Sequence, residues 1–251
     1  MDSISEIKAN YNDSSIETIT DFIDKYSSDE RAGVIKLVTK ANRDKEKLDN
    51  EYKRIKIMQA FDASYTSLAL IAGVDEVGRG PFAGPVVCGA AIMPKDCDIL
   101  YINDSKKVKK EKREELAELI KEQAISYNFG LLDNTVIDEI GIGNAVKQAM
   151  VMAIKGLSVK PEHVLVDAVK GLDFGVPYSS MIKGDAQSYN IASASIIAKV
   201  YRDKIMEDYA KKYPQYGFDK HSGYGTKEHI EAIKEYGPCP IHRMSFIKNY
   251  V

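Results

Sequence analysis

The apolar and polar positions follow two different patterns along the chain. In the first part, apolar side chains recur at helical spacing between residues 16 and 23, with Ser14 or Ser15 as a candidate N-cap. A run rich in Lys, Arg, Asp and Glu, from Glu30 to Lys56, then has the pattern of a solvated helix face. We therefore predict an all-α N-terminal extension over residues 1–67.

The second part, residues 68–251, alternates short apolar runs with helical patterns. We predict strands over about residues 68–74, 85–93, 126–132, 161–167 and 177–182. The first two are close in the chain, which favours an antiparallel pair. Helices are predicted at about residues 110–123, 135–140 (capped by Thr135), 144–155, 188–212 and 227–236, with the remaining tail irregular. This order favours an α/β domain with a mixed central sheet flanked by helices.

Composition limits the class of protein. Of the 251 residues, 44% are hydrophobic and 29% are charged, which is typical of a soluble globular chain. The three cysteines are odd in number and lack C-x-x-C spacing, so we expect reduced thiols rather than disulfides or a zinc site. The N-terminus is polar, and no apolar run approaches the roughly 18 residues of a membrane span. We expect a cytoplasmic monomer with no membrane partner.

Four acidic residues follow predicted strands or tight turns. Asp75 and Glu76 close the first strand, Asp167 closes the fourth, and Asp185 follows the fifth after a Lys-Gly turn. Functional sites gather at the carboxyl ends of strands in α/β sheets. Because adjacent strand residues point to opposite faces, Asp75 and Glu76 share a site only if the strand twists or ends there.

Clustered carboxylates repel one another unless cations compensate them. Oxygen ligands suit Mg²⁺ or Mn²⁺, and two such ions about 4 Å apart stabilise the attacking and leaving oxygens of a phosphodiester displacement. Each acid alone is more simply a surface loop residue. The four together favour a two-metal site.

Several segments are candidate substrate contacts. Gly78-Arg79-Gly80 is a turn that lets a backbone approach a ligand and offers a phosphate-binding guanidinium, although an ordinary turn has the same pattern. The basic patch at residues 103–110, including Ser105 and Lys106, is either a solvated loop or a phosphate contact. The charged run of the extension leaves the same two interpretations open. With a net charge of −2, such local patches must supply any attraction for a polyanion.

Two further segments are ambiguous from sequence alone. Tyr224 lies between two glycines and is either an ordinary tyrosine or one that stacks on a base or sugar. In the long helix after residue 188, alanines such as Ala194 are predicted to pack in the core, whereas Lys199, Arg202 and Lys204 are predicted to face substrate or solvent. The histidines at 221, 229 and 242 lack the spacing of zinc ligands.

Ordered motifs in the second part resemble the ribonuclease HII family. They are residues 73–81, 104–106, 166–167, 183–186, 193–203, 221–226 and 242–246. The related ribonuclease HIII family lacks G-R-G and carries a different fourth acid, so Arg79 and Asp185 match HII. Residues 29–34 resemble part of an N-terminal extension that occurs in some Gram-positive members.

The resemblance implies a ribonuclease H-like fold and endonucleolytic cleavage of the RNA strand of RNA–DNA hybrids, leaving 3′-hydroxyl and 5′-phosphate ends. The family's metal ligands and catalytic acids fall on Asp75, Glu76, Asp167 and Asp185. Its G-R-G motif, which senses the ribose 2′-hydroxyl at an RNA-to-DNA junction, falls on Gly78, Arg79 and Gly80. Its tyrosine, which packs on the following deoxyribose, falls on Tyr224. These residues imply nicking 5′ of single ribonucleotides embedded in duplex DNA.

We expect Asp75 to bridge two metal ions and Asp185 to complete the site of the ion that activates water. Glu76 and Asp167 are expected to hold the ion at the leaving oxygen. Two alternatives remain: a metal-dependent nuclease of another specificity, such as a DNA exonuclease, and a non-catalytic hybrid-binding module.

Overall fold

The computed structural model describes residues 2–13, 18–65 and 70–251. The predicted N-cap at Ser14 or Ser15 and the first residues of the predicted strand, 68–69, lie outside this part. The chain forms two compact units, Met1–Ile57 and Met58–Val251.

The first unit is helical, as predicted. Its helices are α1 (Ile4–Asn12), α2 (Ile19–Tyr26) and the greater part of α3 (Ala32–Ala63). Ser3 begins α1 with a capping box, in which its hydroxyl accepts from the Glu6 amide and the Glu6 carboxylate accepts from the Ser3 amide. The unit's small core consists of Ile7, Phe22, Tyr26, Val34 and Ala41.

A mixed sheet organises the second unit. Over the described residues it has five strands in the order β3-β2-β1-β4-β5. They are β1 (Ile71–Val77), β2 (Val86–Ile92), β3 (Ser126–Leu132), β4 (His163–Asp167) and β5 (Tyr178–Met181). β1 pairs antiparallel with β2 and parallel with β4, so the predicted antiparallel pair and the predicted mixed sheet are both confirmed.

Helices cover both faces of this sheet. The remaining helices are α4 (Lys110–Gln123), α5 (Asn134–Ile140), α6 (Ile142–Lys155), α7 (Tyr189–Lys212), α8 (Phe218–His221), α9 (Lys227–Tyr236) and α10 (Met244–Ile247). α7 packs on β1 and β2, and α6 packs on β2 and β3 from the other side. α7 lies very close to the sheet, where glycines leave room for its backbone. A Cβ added to Gly73 would be 2.1 Å from the Asn190 carbonyl carbon, and one added to Gly89 would be 2.6 Å from the Ala194 oxygen.

Two local predictions were wrong. The cap of α5 is Asp133 rather than Thr135, because the Asp133 carboxylate accepts from the Thr135 and Val136 amides as an N-cap does. The tail contains short helices at residues 214–216, 218–221 and 244–247 besides the predicted α9. They are too short to show a helical repeat in the sequence.

All three cysteines are free thiols, as expected. No helix in the described ranges has the length and apolar character needed to cross a membrane.

Candidate active site

A cavity of about 500 Å³ lies at the end of β1. Its lining includes the four predicted metal ligands, Asp75, Glu76, Asp167 and Asp185, and six predicted substrate contacts, Gly78, Arg79, Gly80, Ser105, Lys106 and Tyr224. Val77, Ser195 and Lys199 line it as well. Segments far apart in the sequence therefore meet at one position of the fold.

Asp75 and Asp167 occupy corresponding positions on adjacent parallel strands. Val74 pairs with Val166 in the register of β1 and β4, so the next residue of each strand points to the same face of the sheet. That face is the one covered by α7, because Gly73, two residues before Asp75, faces the backbone of α7.

Glu76 points to the opposite face of the sheet from Asp75. The strand predicted to end at the acids continues through Val77, because hydrogen-bonded pairing with β2 extends to the pair Val77–Val87 after the apolar run has stopped. Glu76 still lines the shared cavity, since the chain turns at Gly78 immediately after the strand.

Asp185 lies on a short 3-10 helix, Gly184–Ala186, which follows β5. Lys183 enters this turn in the left-handed conformation, with φ of 59°. The Gly184 amide donates to Asp167 Oδ1 at 2.8 Å, so the carboxylate at the end of β4 also fixes the turn that carries Asp185. This bond couples the positions of two of the four acids.

The cavity has an excess of negative charge. Burial raises the pKa of Asp75 well above its usual range, and the charges of Glu76 and Asp167 raise it further. Burial and Asp167 also raise the pKa of Glu76, against the lowering effect of the Arg79 guanidinium. Burial, Asp104 and Asp167 raise the pKa of Asp185. A cation placed among these groups would relieve the repulsion.

These donors fit a hard divalent cation. All four are carboxylates, which suit Mg²⁺ or Mn²⁺ rather than zinc. In the described part of the chain, no group of three or more His, Cys, Asp or Glu side chains is placed so that it could hold a metal ion. The fit to a divalent cation therefore rests on the chemistry of the four carboxylates that line the cavity.

The Gly78–Gly80 turn and Tyr224 form another wall of the cavity. Gly78 has a φ of 87°, a conformation that favours glycine. The Arg79 side chain is 55% exposed and its Nη1 lies 3.4 Å from Glu76 Oε1, so the guanidinium is available to a ligand. The Tyr224 ring is also exposed, and a Cβ on Gly80 would be 3.7 Å from its Cε1 atom. Ring and turn therefore face each other across a narrow gap.

Sequence reasoning missed Ser195 as a cavity residue and left Lys199 ambiguous. The Ser195 hydroxyl donates to the Ser105 hydroxyl at 3.0 Å, which joins α7 to the basic patch. Lys199 Nζ donates to Asp203 Oδ1 at 2.6 Å and reaches the lining one turn further along α7. Both residues lie in a helical segment whose small side chains predicted only packing. Their spacing of one helical turn on one face is the signal that was available.

The prediction that Arg202 faces substrate or solvent was wrong. Its side chain is fully buried and donates to the carbonyl oxygens of Pro85, Ser222 and Ala83. A guanidinium has five N–H donors, and backbone carbonyls can satisfy them without a carboxylate. The predicted core packing of Ala194 is confirmed.

Comparisons with known proteins agree with the sequence motifs. The family model for ribonuclease HII matches residues 72–249, and the model for the ribonuclease HII N-terminal domain matches residues 3–66. The chain is 51% identical over 226 residues to a ribonuclease HII of Lachnoclostridium phytofermentans, which covers 90% of this chain and 89% of that protein. It is 49% identical over 235 residues to a ribonuclease HII of Enterococcus faecalis, covering 91% and 92%.

Among solved structures, the chain is similar to the ribonuclease H2 from Pyrococcus horikoshii. The TM-score is 0.62 at 30% sequence identity, over 72% of this chain and 96% of that one. The predicted ribonuclease H-like fold is thereby confirmed. The chain belongs to the ribonuclease HII family.

Proposed function

We propose that the chain is an endoribonuclease that hydrolyses the RNA strand of RNA–DNA hybrids. We further propose that it nicks duplex DNA 5′ of single embedded ribonucleotides, leaving 3′-hydroxyl and 5′-phosphate ends. The observation that carries this proposal is that four acids, a glycine-rich turn and an exposed tyrosine line one cavity. Acids alone support a phosphodiesterase, whereas the turn and the tyrosine add groups suited to reading a sugar.

In this proposal Asp75, Glu76, Asp167 and Asp185 hold two Mg²⁺ or Mn²⁺ ions. When bound, such ions supply an activated water and stabilise the leaving oxygen of the phosphodiester. The four carboxylates would hold the ions, and the burial of Asp75 and Glu76 would keep bulk water from screening their charges. Asp75 is the candidate for the ligand shared by both ions because it is the most buried of the four. It is adjacent to Glu76 in the chain, and its strand β1 pairs with β4, which ends at Asp167.

Basic side chains of the same cavity would hold the substrate backbone. Lys106, Lys199 and Arg79 line it and suit phosphate oxygens. The 2′-hydroxyl distinguishes ribose from deoxyribose, and the backbone of the turn can approach it closely at Gly80, where no Cβ intervenes beside Tyr224. The exposed ring of Tyr224 would pack on the next sugar.

We propose that residues 68–251 carry catalysis and that residues 1–67 are an extension to which we assign no step. All ten predicted site residues line a cavity within one chain, which supports action as a monomer. The proposed partners are RNA–DNA hybrids and duplex DNA that contains ribonucleotides.

The test compares three duplexes with the full chain, in Mg²⁺ and in Mn²⁺: a continuous RNA–DNA hybrid, DNA with one embedded ribonucleotide, and all-DNA. We expect cleavage of the first two and none of the third, with 3′-hydroxyl ends. Equal cleavage of all-DNA would instead support a nuclease of another specificity. Binding of the hybrid without its consumption in either metal would support a non-catalytic module.

A further inference from the structure

A buried arginine near the C-terminus, Arg243, forms hydrogen bonds to the backbone of the Gly78–Gly80 turn. Arg243 is fully buried and donates from Nη2 to the Gly78 oxygen at 2.6 Å and from Nη1 to the Arg79 oxygen at 3.1 Å. Its Nε donates to the Gly84 oxygen at 3.0 Å. Within the described residues Arg243 forms no ion pair with a carboxylate. Three backbone carbonyls, two of them in the turn, therefore accept from the guanidinium, and charge-assisted bonds of this kind are strong.

The segment that carries Arg243 is itself fixed to the chain after the turn. The Arg243 amide donates to the Phe82 oxygen at 2.7 Å, and the Gly84 amide donates to the Ile241 oxygen at 2.9 Å. Ala83 and His242 form an antiparallel bridge between these two segments. The guanidinium consequently has one defined position relative to the turn.

The preceding residue, His242, is connected to Tyr224 by hydrogen bonds through a second histidine, His229. The Cys239 amide donates to His242 Nδ1 at 2.8 Å, and the Nε2 atoms of His242 and His229 are 3.0 Å apart. His229 Nδ1 lies 2.9 Å from the carbonyl oxygen of Tyr224. A carbonyl only accepts, so His229 Nδ1 carries a proton and its Nε2 accepts from His242.

This series of bonds requires both rings to be neutral. Burial lowers the pKa of His229 to about 4 and also lowers the pKa of His242, in agreement with that requirement. His242 Nδ1 lies 2.8 Å from the Cys239 amide nitrogen and 3.2 Å from the Cys239 oxygen, and the shorter contact assigns Nδ1 as the acceptor and Nε2–H as the donor. His229 therefore donates to the Tyr224 carbonyl, and His242, the residue adjacent to Arg243, in turn donates to His229.

We infer that the adjacent residues His242 and Arg243 are positioning residues that set the gap between the Gly78–Gly80 turn and Tyr224, and thereby the preference for RNA-to-DNA junctions. Arg243 fixes the turn and His242 fixes the tyrosine. The inference rests on the proposed function, because the junction preference is a property of that function. Neither side chain is among the residues that line the cavity, so neither needs to touch substrate.

The experiment uses the full chain with Arg243→Lys, which keeps the charge but cannot reach three carbonyls, and His242→Phe, which keeps an aromatic ring without its nitrogens. Asp138→Asn is the matched control. Asp138 anchors the same segment by accepting from the Met244 and Ser245 amides at 2.7 and 3.0 Å, and its charge acts on Arg243 only through space. Among the described residues it forms no hydrogen bond to the turn or to Tyr224.

The main readout is the ratio of kcat/KM for one embedded ribonucleotide to kcat/KM for a continuous hybrid. We expect Arg243→Lys and His242→Phe to lower the ratio on the order of 10-fold, since small misplacements of positioning groups cost up to about 100-fold. Asp138→Asn should keep the wild-type ratio. A partly unfolded preparation does not change this ratio of kcat/KM values, because the same fraction of active molecules cuts both substrates. An unchanged ratio in both test variants would overturn the inference.

Hydrogen exchange separates this inference from the proposed function. Peptides covering residues 78–84 should exchange faster in Arg243→Lys, and peptides covering 221–226 should do so in His242→Phe, with neither effect in Asp138→Asn. If the wild type cut neither substrate, the proposed function would fail while these exchange changes still measured the positioning. Wild-type exchange rates in both segments of the two variants would contradict the positioning roles themselves.

Discussion

Asp62 Oδ2 accepts two hydrogen bonds from Asn190, one from the backbone amide at 2.9 Å and one from the side-chain nitrogen at 2.8 Å. The carboxylate thus binds the first turn of α7, the helix that carries Ser195 and Lys199. Asn190 Oδ1 in turn accepts from the Met93 amide at 2.7 Å, just beyond β2. The last turn of α3, the start of α7 and the end of β2 are joined by these two side chains.

Replacing Asp62 with Asn should stabilise the protein at high pH. Burial raises the pKa of Asp62 to about 6, above its usual value. The folded protein then binds a proton that the unfolded chain has lost, so this group's contribution is most favourable below about pH 4 and is lost as the pH rises through 6. At pH 8 the charged form costs about 3 kcal/mol. We expect Asp62→Asn to melt above the wild type at pH 8 and close to it at pH 4.5.

Asp62→Ala is the control for the same site. At pH 4.5 it should lower the free energy of unfolding by about 1–3 kcal/mol, because both Asn190 donors lose their acceptor in a buried site. Thermal melts of the two variants and the wild type at both pH values check this pair. Equal melting of Asp62→Asn and wild type at pH 8 would contradict a raised pKa for this carboxyl.

The buried histidines should make the protein less stable in mild acid. Because the folded pKa of His229 is about 4 and an unfolded histidine titrates near 6.5, the unfolded chain binds the proton first as the pH falls. Stability from this group is full above 6.5 and is lost as the pH falls towards 4. Between pH 7 and pH 5 the loss is about 2 kcal/mol.

His229→Asn places an amide nitrogen near the Tyr224 oxygen without a group that titrates in this range. We expect its free energy of unfolding to fall less steeply between pH 7 and pH 5 than that of the wild type, by about 2 kcal/mol. Urea denaturation at the two pH values measures the difference. Asp62 titrates in both proteins and therefore cancels in the comparison, and parallel curves would refute the assignment.

Two glycines of one turn should respond differently to alanine. A Cβ on Gly78 would lie 2.1 Å from Arg202 Nε and 2.7 Å from the Pro85 oxygen, at a φ of 87°. Gly78→Ala should therefore destabilise the protein by roughly 2–5 kcal/mol, from strain and overpacking together. A Cβ on Gly80 would meet only Tyr224 at an ordinary 3.7 Å, so Gly80→Ala should melt near the wild type.

Under the proposed function, Gly80→Ala should nevertheless lower cleavage at an embedded ribonucleotide on the order of 10-fold, because the added methyl keeps the substrate from the backbone. Melting curves and kcat/KM on that duplex check the two glycines together. Wild-type cleavage by Gly80→Ala would argue against a role for this backbone in reading the sugar.

Substituting the acids should remove cleavage and keep hybrid binding. Asp75→Asn and Asp185→Asn each remove a negative charge from the proposed metal site, and we expect kcat to fall on the order of 1000-fold. Hybrid affinity should change little. Asp219→Asn, at an exposed acid outside the cavity, is the matched control. Either variant turning over at the wild-type rate would refute the proposed set of ligands.

Metal binding by these variants has a readout besides activity. Mn²⁺ should raise the melting temperature of the wild type and of Asp219→Asn, because a ligand that binds only the folded state stabilises it. The rise should be smaller in Asp75→Asn and Asp185→Asn. A rise of equal size in all four proteins would place the bound ion elsewhere.

Local patterns in the sequence predicted most elements of the fold. Short apolar runs mark β1, β2 and β4, and α7 has the small residues that let it approach Gly73 and Gly89. The acids were recognised because they follow such runs. The end of β1 was misjudged because hydrogen bonding with β2 continues through Glu76 and Val77, where hydrophobicity no longer marks the strand.

Local sequence patterns did not predict the tertiary contacts of buried charged and polar side chains. Arg202 and Arg243 have the charge of surface residues, and the sequence does not reveal that carbonyls of residues 78–85 and 222 surround them. His229 and His242 lack metal-ligand spacing, yet their rings form a hydrogen bond. A guanidinium or an imidazole is buried only when hydrogen-bonding partners satisfy it, and only the folded chain shows which groups those partners are.

The sequence by itself thus determined the helical first part, the mixed sheet and most of the residues that meet at the cavity, because these depend on periodicity and on motifs contiguous in the chain. The tertiary structure alone decided which face each acid occupies and which buried groups hold the turn and Tyr224. Those arrangements depend on register between strands and on polar partners that the folded chain brings into contact, where hydrogen bonding must offset burial.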